Sequence, residues 1–280
     1  MKKESSRRHH YVPRSYLKRF AQGKKRRLHV EEVTKSKTTR VFSPNISSFL
    51  VECGIYDLSS YKNFSPSFDQ TEDGLVEDLL FAQIYEPMYN KSLEQSVDLN
   101  FCPDIQMCKG IIAGVWTMYL RTPRVRKANA QILKEIDSKV DENRRAFMEN
   151  FGMVTAKTIL KLFPKVFLYT RSILFNAVGE ARFLTTDNPA SPCIYDFINE
   201  QVIRCDEYKL QQSVILADEW PVEIGLLCAL TPQWCLWIQS VQNISSVECI
   251  AFDSLQTKHL NQFIRGGADR FVILPPNKPS

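Results

Sequence analysis

Residues 222–239 read VEIGLLCALTPQWCLWIQ, two strand-sized apolar runs on either side of a Thr-Pro turn. A short apolar run bounded by turn residues is typical of a buried strand. The pattern continues beyond this segment, and we expect further strands over 166–177, 180–186, 201–204, 213–216, 246–251 and 270–274. One helix is predicted over 253–265, closed by Gly266 and Gly267. Residues 165–280 are therefore predicted to form mostly strands, in a predominantly antiparallel sheet.

The residues that precede this sheet are predicted to be mostly helical. Residues 71–163 place apolar side chains at helical spacing. Within them we expect helices over 71–86, 104–121, 124–150 and 153–163. Pro87 is expected to interrupt the first of these helices, because proline lacks the backbone N–H that a helix interior needs.

A short helix is predicted near the N-terminus, over residues 13–21. Tyr16, Leu17 and Phe20 share one face of this helix, and basic residues cover the others. We therefore expect the helix to dock on the core with its charge in water.

A hairpin follows in the prediction, with strands over 27–34 and 39–42 on either side of a polar turn. Residues 1–8 are expected to be a disordered basic arm. Together with the central helical bundle and the C-terminal sheet, these elements predict a single α+β domain over residues 1–280.

The composition is that of an ordinary globular protein. Of 280 residues, 44% are hydrophobic and 24% are charged, which excludes disordered and fibrous classes. No apolar run is long enough to cross a bilayer, and no apolar stretch follows the N-terminal charges as it would in a signal peptide. We expect a cytoplasmic protein.

Eight cysteines are present, and none forms a Cys-x-x-Cys pair. In a reducing compartment we expect free thiols. Cys228, Cys235 and Cys249 lie in apolar runs and are predicted to be small core residues.

The positive charge is concentrated at the N-terminus. The net charge is +5, but the first 28 residues alone carry +10 and the remainder −5. Such a basic block indicates a polyanionic partner: nucleic acid, an acidic protein or a membrane surface. Of these we expect nucleic acid or a protein, and no membrane. The alternative is a solvated arm without a partner.

Two stretches have residues suited to chemistry. His9 and His10 are adjacent, so on an extended segment they point to opposite sides and only one could bind a metal or act as a base. Backbone hydrogen bonds could equally satisfy the pair. Asp187 ends a strand before Asn188-Pro189, where it could be a site residue or accept backbone bonds in an Asx-turn.

Several motifs resemble a bacterial family catalogued as domain of unknown function 4238. They are His9-His10-Tyr11-Val12-Pro13, Ile55-Tyr56, Glu86, Arg121-Thr122-Pro123 with Arg126, Thr185-Thr186-Asp187-Asn188-Pro189, Leu230-Thr231-Pro232, Asn261 and Arg270. The resemblance covers nearly the whole chain. It implies a set of positions rather than an activity, since the family has no established activity to transfer.

The first functional hypothesis is a nucleic-acid-directed hydrolase of bacterial stress response or phage defence. Its catalytic residues would be His9, His10, Glu86, Asp187 and Asn188, and its substrate-binding residues Arg121, Arg126, Thr186 and Arg270. His10, Glu86 and Asp187 would be the candidate ligands of a divalent metal that activates water.

The alternative is a non-catalytic module that binds nucleic acid or protein, as a sensor or effector subunit, through its basic N-terminus. Convergence of His10, Glu86, Arg121 and Asp187 in one cleft would favour the hydrolase. Separation of these residues would favour the binding module.

Overall fold

The computed structural model describes residues 8–33, 40–53, 81–97, 102–136, 169–196, 201–217, 221, 223–241 and 245–276. The strands are β1 Arg8–His10, β2 His29–Glu32, β3 Arg40–Phe42, β4 Val51–Cys53, β5 Thr170–Ala177, β6 Thr185–Thr186, β7 Ala190–Asp196, β8 Gln201–Arg204, β9 Gly225–Ala229, β10 Trp234–Ser240, β11 Ser246–Phe252 and β12 Phe271–Leu274. The α-helices are α1 Arg14–Leu17, α2 Glu86–Gln95, α3 Ile105–Arg121, α4 Pro123–Ile136, α5 Glu207–Ala217 and α6 Ser254–Gly266.

A six-stranded sheet with the order β11-β5-β10-β9-β7-β8 forms the C-terminal half of the described structure. The two apolar runs around the Thr-Pro turn become β9 and β10, which pair antiparallel with Cys235 opposite Ala229. Every pairing in this sheet is antiparallel except β11 with β5. The predicted α+β class is confirmed.

A smaller sheet joins distant parts of the chain. Its order is β3-β2-β12-β6, and β2 with β3 forms the predicted hairpin. Because β12 pairs with both β2 and β6, the C-terminal strand connects the N-terminal hairpin to the Thr185-Thr186 segment. A separate two-stranded sheet pairs β1 with β4.

Helix α3 lies against α2 and also contacts the six-stranded sheet. Two glycines allow the close approach of α2 and α3. A Cβ at Gly110 would lie 2.1 Å from Ser92 Oγ, and one at Gly114 would lie 2.3 Å from the Tyr89 ring. At these two positions the backbone of α3 therefore lies directly against side chains of α2, and any larger residue would clash.

The N-terminal helix docks as predicted. Tyr16, Leu17 and Phe20 are each fully buried, whereas Arg14 and Lys18 are exposed. The helix continues from α1 into a 3-10 turn over Lys18–Phe20. Burial of three large side chains thus fixes the position of the segment that carries His9 and His10.

Several local predictions are wrong. The strand expected over 213–216 lies within α5, which begins after Asp206, whose Oδ1 accepts the N–H of Lys209 at 3.1 Å. Periodicity alone cannot separate a short apolar strand from a buried helix segment. Strand β7 was not expected, since Pro189 before it and Pro192 within it are typical of turns. Of the stretch 180–186, only Thr185–Thr186 is a strand.

Helix and arm boundaries differ in part from the prediction. Residues 81–85 are π-helical and lead directly into α2, so the helix changes type just before Pro87, which lies in the first turn of α2. Arg8, expected in a disordered arm, belongs to β1, and the rest of that arm lies outside the described residues. The predicted helix over 153–163 and the end of the one over 124–150 also lie outside them.

The expectation for the cysteines is wrong for one pair. Cys249 is exposed on β11 and forms a disulfide with Cys102, so it is neither a core residue nor a free thiol. Cys228 and Cys235 are fully buried, as predicted. The error arose because Cys249 lies in an apolar run, although β11 is an edge strand that leaves this side chain outside the core.

Candidate functional site

The N-terminal helix and the strand end at residue 186 are in direct contact. The hydroxyl of Tyr16 is 2.5 Å from Thr185 Oγ1 and donates to the carbonyl of Ala229 at 2.7 Å. These buried hydrogen bonds join residues that are 169 and 213 positions apart in sequence. The fold therefore brings the His-His-Tyr-Val-Pro segment to the Thr-Asp-Asn-Pro segment.

His9 and His10 alternate across β1, as an extended backbone requires. His9 is buried and pairs in register with Glu52 of β4, while His10 is half-buried. The Nε2 of His10 lies 3.2 Å from the carbonyl of Ile46, and burial lowers the pKa of His10. For His10, the structure therefore shows the backbone hydrogen bond that the sequence analysis gave as the alternative to a catalytic or metal-binding role.

Arg121 is the centre of a buried polar cluster. Its Nη1 donates to Glu86 Oε1 at 3.0 Å, its Nη2 donates to the carbonyl of His10, and its guanidinium carbon lies 4.2 Å from the Phe81 ring centroid. Ser15 donates to the second oxygen of Glu86 at 3.4 Å. Because Arg121 is fully buried, its side chain holds α3, α2 and β1 together rather than facing solvent.

Asp187 connects the end of β6 to the segment that precedes β12. Its Oδ1 accepts the backbone N–H of Asp269 at 3.0 Å, and its Oδ2 accepts those of Arg270 and Phe271 at 2.9 and 3.2 Å. Burial raises the pKa of Asp187 to about 6, although these three bonds favour the charged form. The sequence left open that Asp187 accepts backbone hydrogen bonds within a local Asx-turn. It does accept backbone hydrogen bonds, but from residues 269–271, which are distant in sequence.

The neighbours of Asp187 have similar structural bonds. Thr186 Oγ1 donates to the carbonyl of Asn188 at 2.8 Å and accepts its N–H at 3.1 Å. The side-chain amide of Asn188 donates to the carbonyl of Gly267 at 3.2 Å. All three predicted residues therefore help to fix the chain between α6 and β12.

The remaining predicted arginines are paired with carboxylates. Arg126 donates to Glu52 Oε2 at 2.7 Å and is largely buried. Arg270 forms an exposed pair with Glu32, with Nη2 2.7 Å from Oε1. Between these groups, Tyr11 is buried close to the charges of Asp187 and Glu52, and burial together with these charges raises its pKa.

The predicted catalytic groups have two separate sets of hydrogen-bond partners. His10, Glu86 and Arg121 meet at one point, and the carboxylate of Asp187 makes its hydrogen bonds with the backbone of residues 269–271 at another.

A divalent metal does not fit the predicted ligand set. Among the described residues, no group of three or more His, Cys, Asp or Glu side chains is arranged to hold a metal ion. The oxygens of Asp187 accept backbone N–H groups, and those of Glu86 accept from Arg121 and Ser15. These donors occupy the positions from which carboxylate oxygens would bind a cation.

The structure also shows a feature that the sequence located only coarsely. Residues 23–27, the basic loop, form a tight turn closed by backbone hydrogen bonds between Gln22 and Arg27 at 2.7 and 3.1 Å. Gly23 and Arg26 adopt left-handed backbone conformations with φ of 64° and 48°. The turn is anchored because Asn45 donates to the carbonyl of Lys25, and Arg27 to that of Ser43, both at 2.9 Å.

The basic loop is exposed and borders a groove of about 540 Å³. Lys24, Lys25 and Arg27 line this groove together with His29 and Ser43. Within the described part of the chain, no carboxylate pairs with any cation of the loop. The +10 charge of the first 28 residues identified this region from the sequence. The groove itself could not be predicted, because it forms only where the later residue Ser43 packs against the loop.

The fold and the site define an α+β protein with a buried arginine–carboxylate interior and an exposed basic loop. The chain belongs to the family described as protein of unknown function (DUF4238), whose family model matches residues 8–277. The resemblance indicated by the sequence motifs is thereby confirmed. No curated protein and no solved structure matches the chain. Among the described helices, none is long and apolar enough to cross a membrane.

Proposed function

We propose that this protein is a non-catalytic nucleic-acid-binding module whose basic loop holds the phosphate backbone. The observation that carries the proposal is the set of exposed side chains of Lys24, Lys25 and Arg26, which have no carboxylate partner among the described residues. A phosphodiester backbone is a polyanion, and its neutralisation by lysine and arginine releases counterions. Backbone anchoring of the loop by Asn45 orders these charges before binding.

The binding module is favoured over the hydrolase because the expected catalytic side chains already have partners. The guanidinium of Arg121 is buried against Glu86 and the carbonyl of His10, so it is not available to a phosphate. The carboxylate of Asp187 is saturated with backbone donors.

The test is a salt series of RNA and DNA oligonucleotide binding, followed by fluorescence anisotropy. The triple variant Lys24→Ala, Lys25→Ala, Arg26→Ala should weaken binding and flatten the plot of log K against log salt by about 2 to 3. The matched control replaces Lys91, Lys109 and Lys258 by alanine, since these exposed lysines lie elsewhere and their loss changes the net charge equally.

Equal loss of binding in both triple variants would show that only the net charge matters and would contradict the proposed loop. Incubation of the same oligonucleotides with Mg²⁺, Mn²⁺ or Zn²⁺ tests the absence of catalysis. Cleavage that Asp187→Asn abolishes would favour the hydrolase instead.

A further inference from the structure

The six-stranded sheet is strongly curled around an aromatic face. The ring centroid of Phe175 on β5 lies 4.4 Å from that of Phe252 on β11 and 5.6 Å from that of Tyr195 on β7. Strands β5 and β7 are separated by two other strands, so in a flat sheet their backbones would lie about 14 Å apart, and the rings meet because the side chains lean together over a curved sheet. The curl makes this face concave.

Helix α6 covers the concave face without filling it. Gln256, His259, Leu260 and Phe263 follow the spacing i, i+3, i+4, i+7 and therefore lie on one face of this helix. With four residues of the sheet they line a groove of about 510 Å³, the sheet residues being Tyr195, Gln201, Val202 and Phe252. This volume is in the range of small-molecule sites.

The lining has a distinct chemistry. None of its described residues is a lysine, arginine, aspartate or glutamate, whereas three cations border the groove at the basic loop. Phe263 is half-buried and offers part of its ring to the groove, while Tyr195 and Phe252 line its floor and are otherwise packed in the core. The Arg204 guanidinium lies 4.2 Å from the Phe263 ring centroid. Such a lining favours an uncharged, flat ligand over a phosphate or a carboxylate.

Polar groups lie at the rim of the same groove. Gln201 and His259 are exposed there, and Gln256 accepts the N–H of Asp253 with Oε1 at 3.1 Å, which leaves its amino group as a donor. A side-chain amide pairs in bidentate fashion with the edge of adenine, and aromatic side chains stack on nucleobases. We propose that this groove binds an uncharged purine nucleoside, with its base against the Phe263 ring and the aromatic floor and its edge at the rim amides.

The experiment is isothermal titration of the full-length chain with adenosine, and with uridine as the smaller-ring comparison. Adenosine should bind saturably and more tightly than uridine, because the larger ring buries more stacking area. His259→Ala and Gln201→Ala should each raise the Kd by about five- to tenfold, the loss of one hydrogen bond. Lys258→Ala, an exposed residue of α6 outside the groove, is the matched control and should leave the Kd unchanged.

A filling variant makes the test independent of individual hydrogen bonds. Val202→Trp should abolish adenosine binding while the circular dichroism spectrum stays native, and the rim variants serve if this variant does not fold. Absence of saturable binding at millimolar adenosine, or equal binding by all variants, would overturn the proposal. Because nucleosides carry no phosphate, these results are separate from those that test the basic loop.

Discussion

Arg121, at the end of α3, is fully buried and donates a hydrogen bond to Glu86. Lys24 and Lys25, on the basic loop, are exposed and have no carboxylate partner in the described ranges. In sequence, the docked residues Tyr16 and Phe20 lie between His10, whose carbonyl accepts a hydrogen bond from Arg121, and the basic loop. Both regions contain basic side chains, so residue type alone does not distinguish them. The two regions differ in burial and in the presence of a carboxylate partner, so Arg121 has a structural role and the two lysines form an exposed basic surface.

Arginine–carboxylate ion pairs occur both in the interior and at the surface of the described structure. Ion pairs join arginines to carboxylates at Arg121–Glu86, Arg124–Asp269, Arg126–Glu52, Arg171–Glu248, Arg265–Glu31 and Arg270–Glu32. Removal of a charge from water is costly unless a partner compensates it, and only the most buried of these pairs matter much for stability. The comparison therefore predicts large stability effects at Arg121 and small ones at the basic loop.

Phe20→Ala should have the largest effect, because Phe20 anchors the segment between the two regions. Its ring is fully buried and lies 5.4 Å from that of Tyr16. We expect a loss of about 3–5 kcal/mol in the free energy of unfolding, measured by chemical denaturation. A loss below about 1 kcal/mol would show that the helix is not docked on the core.

Glu86→Ala should follow, since it leaves the buried guanidinium of Arg121 without its carboxylate. We expect a loss of about 3 kcal/mol in unfolding free energy. The control Glu94→Ala, an exposed glutamate on the same helix, should change stability by less than about 0.5 kcal/mol. Equal effects of the two substitutions would contradict the structural role of the Arg121 cluster.

Asp187→Asn should cost about 1–3 kcal/mol at pH 7, because an amide cannot accept all three backbone N–H groups. Thermal or chemical unfolding measures this loss. An unchanged melting temperature would mean that the bonds to residues 269–271 contribute little.

The penalty of Asp187→Asn should also depend on pH. Burial raises the pKa of Asp187 from 3.8 to about 6 in the folded state, so the folded protein retains this proton more strongly than the unfolded chain does. The stability that protonation adds is complete below about pH 4 and is lost as the pH rises through 6. The difference in unfolding free energy between the wild type and Asp187→Asn should therefore be about 3 kcal/mol larger at pH 4 than at pH 7. If this difference instead increases as the pH rises, the pKa of Asp187 is lowered in the folded state and the prediction is wrong.

The smallest stability effect is expected at the basic loop. Replacement of Lys24 and Lys25 by alanine removes no ion pair and no side-chain hydrogen bond of the described structure, so unfolding free energy should change by less than about 0.5 kcal/mol. The same change should weaken oligonucleotide binding. Chemical unfolding and fluorescence anisotropy on one preparation of the variant would show whether binding is lost while stability is unchanged.

Much of the local structure is predictable from the sequence. The bounds of β8 are those predicted, and α3, α6, β9 and β10 differ from prediction by only a few residues at either end. Their periodic apolar patterns are long or well bounded by turn residues. Helix α5 and strand β7 were missed for local reasons, a short apolar run and two prolines that are typical of turns.

The candidate site was predictable only as a set of residues. The motifs named His10, Glu86, Arg121 and Asp187, but their roles depend on contacts across 35 to 111 positions for Arg121 and across more than 80 for Asp187. An arginine has the same appearance in a sequence whether it faces a phosphate or a buried glutamate. Its partner is therefore decided by packing.

The sequence by itself determined the α+β class, the family and the concentration of positive charge in the first 28 residues. These properties depend on composition, periodicity and short motifs, which are local and additive along the chain. The tertiary structure alone decided that the carboxylate of Asp187 accepts backbone N–H groups, that Cys249 meets Cys102, and that Lys24 and Lys25 lie exposed on an ordered loop with no carboxylate partner among the described residues. These outcomes depend on distances between residues far apart in sequence, and such distances are set when the chain buries its core and satisfies its buried charges.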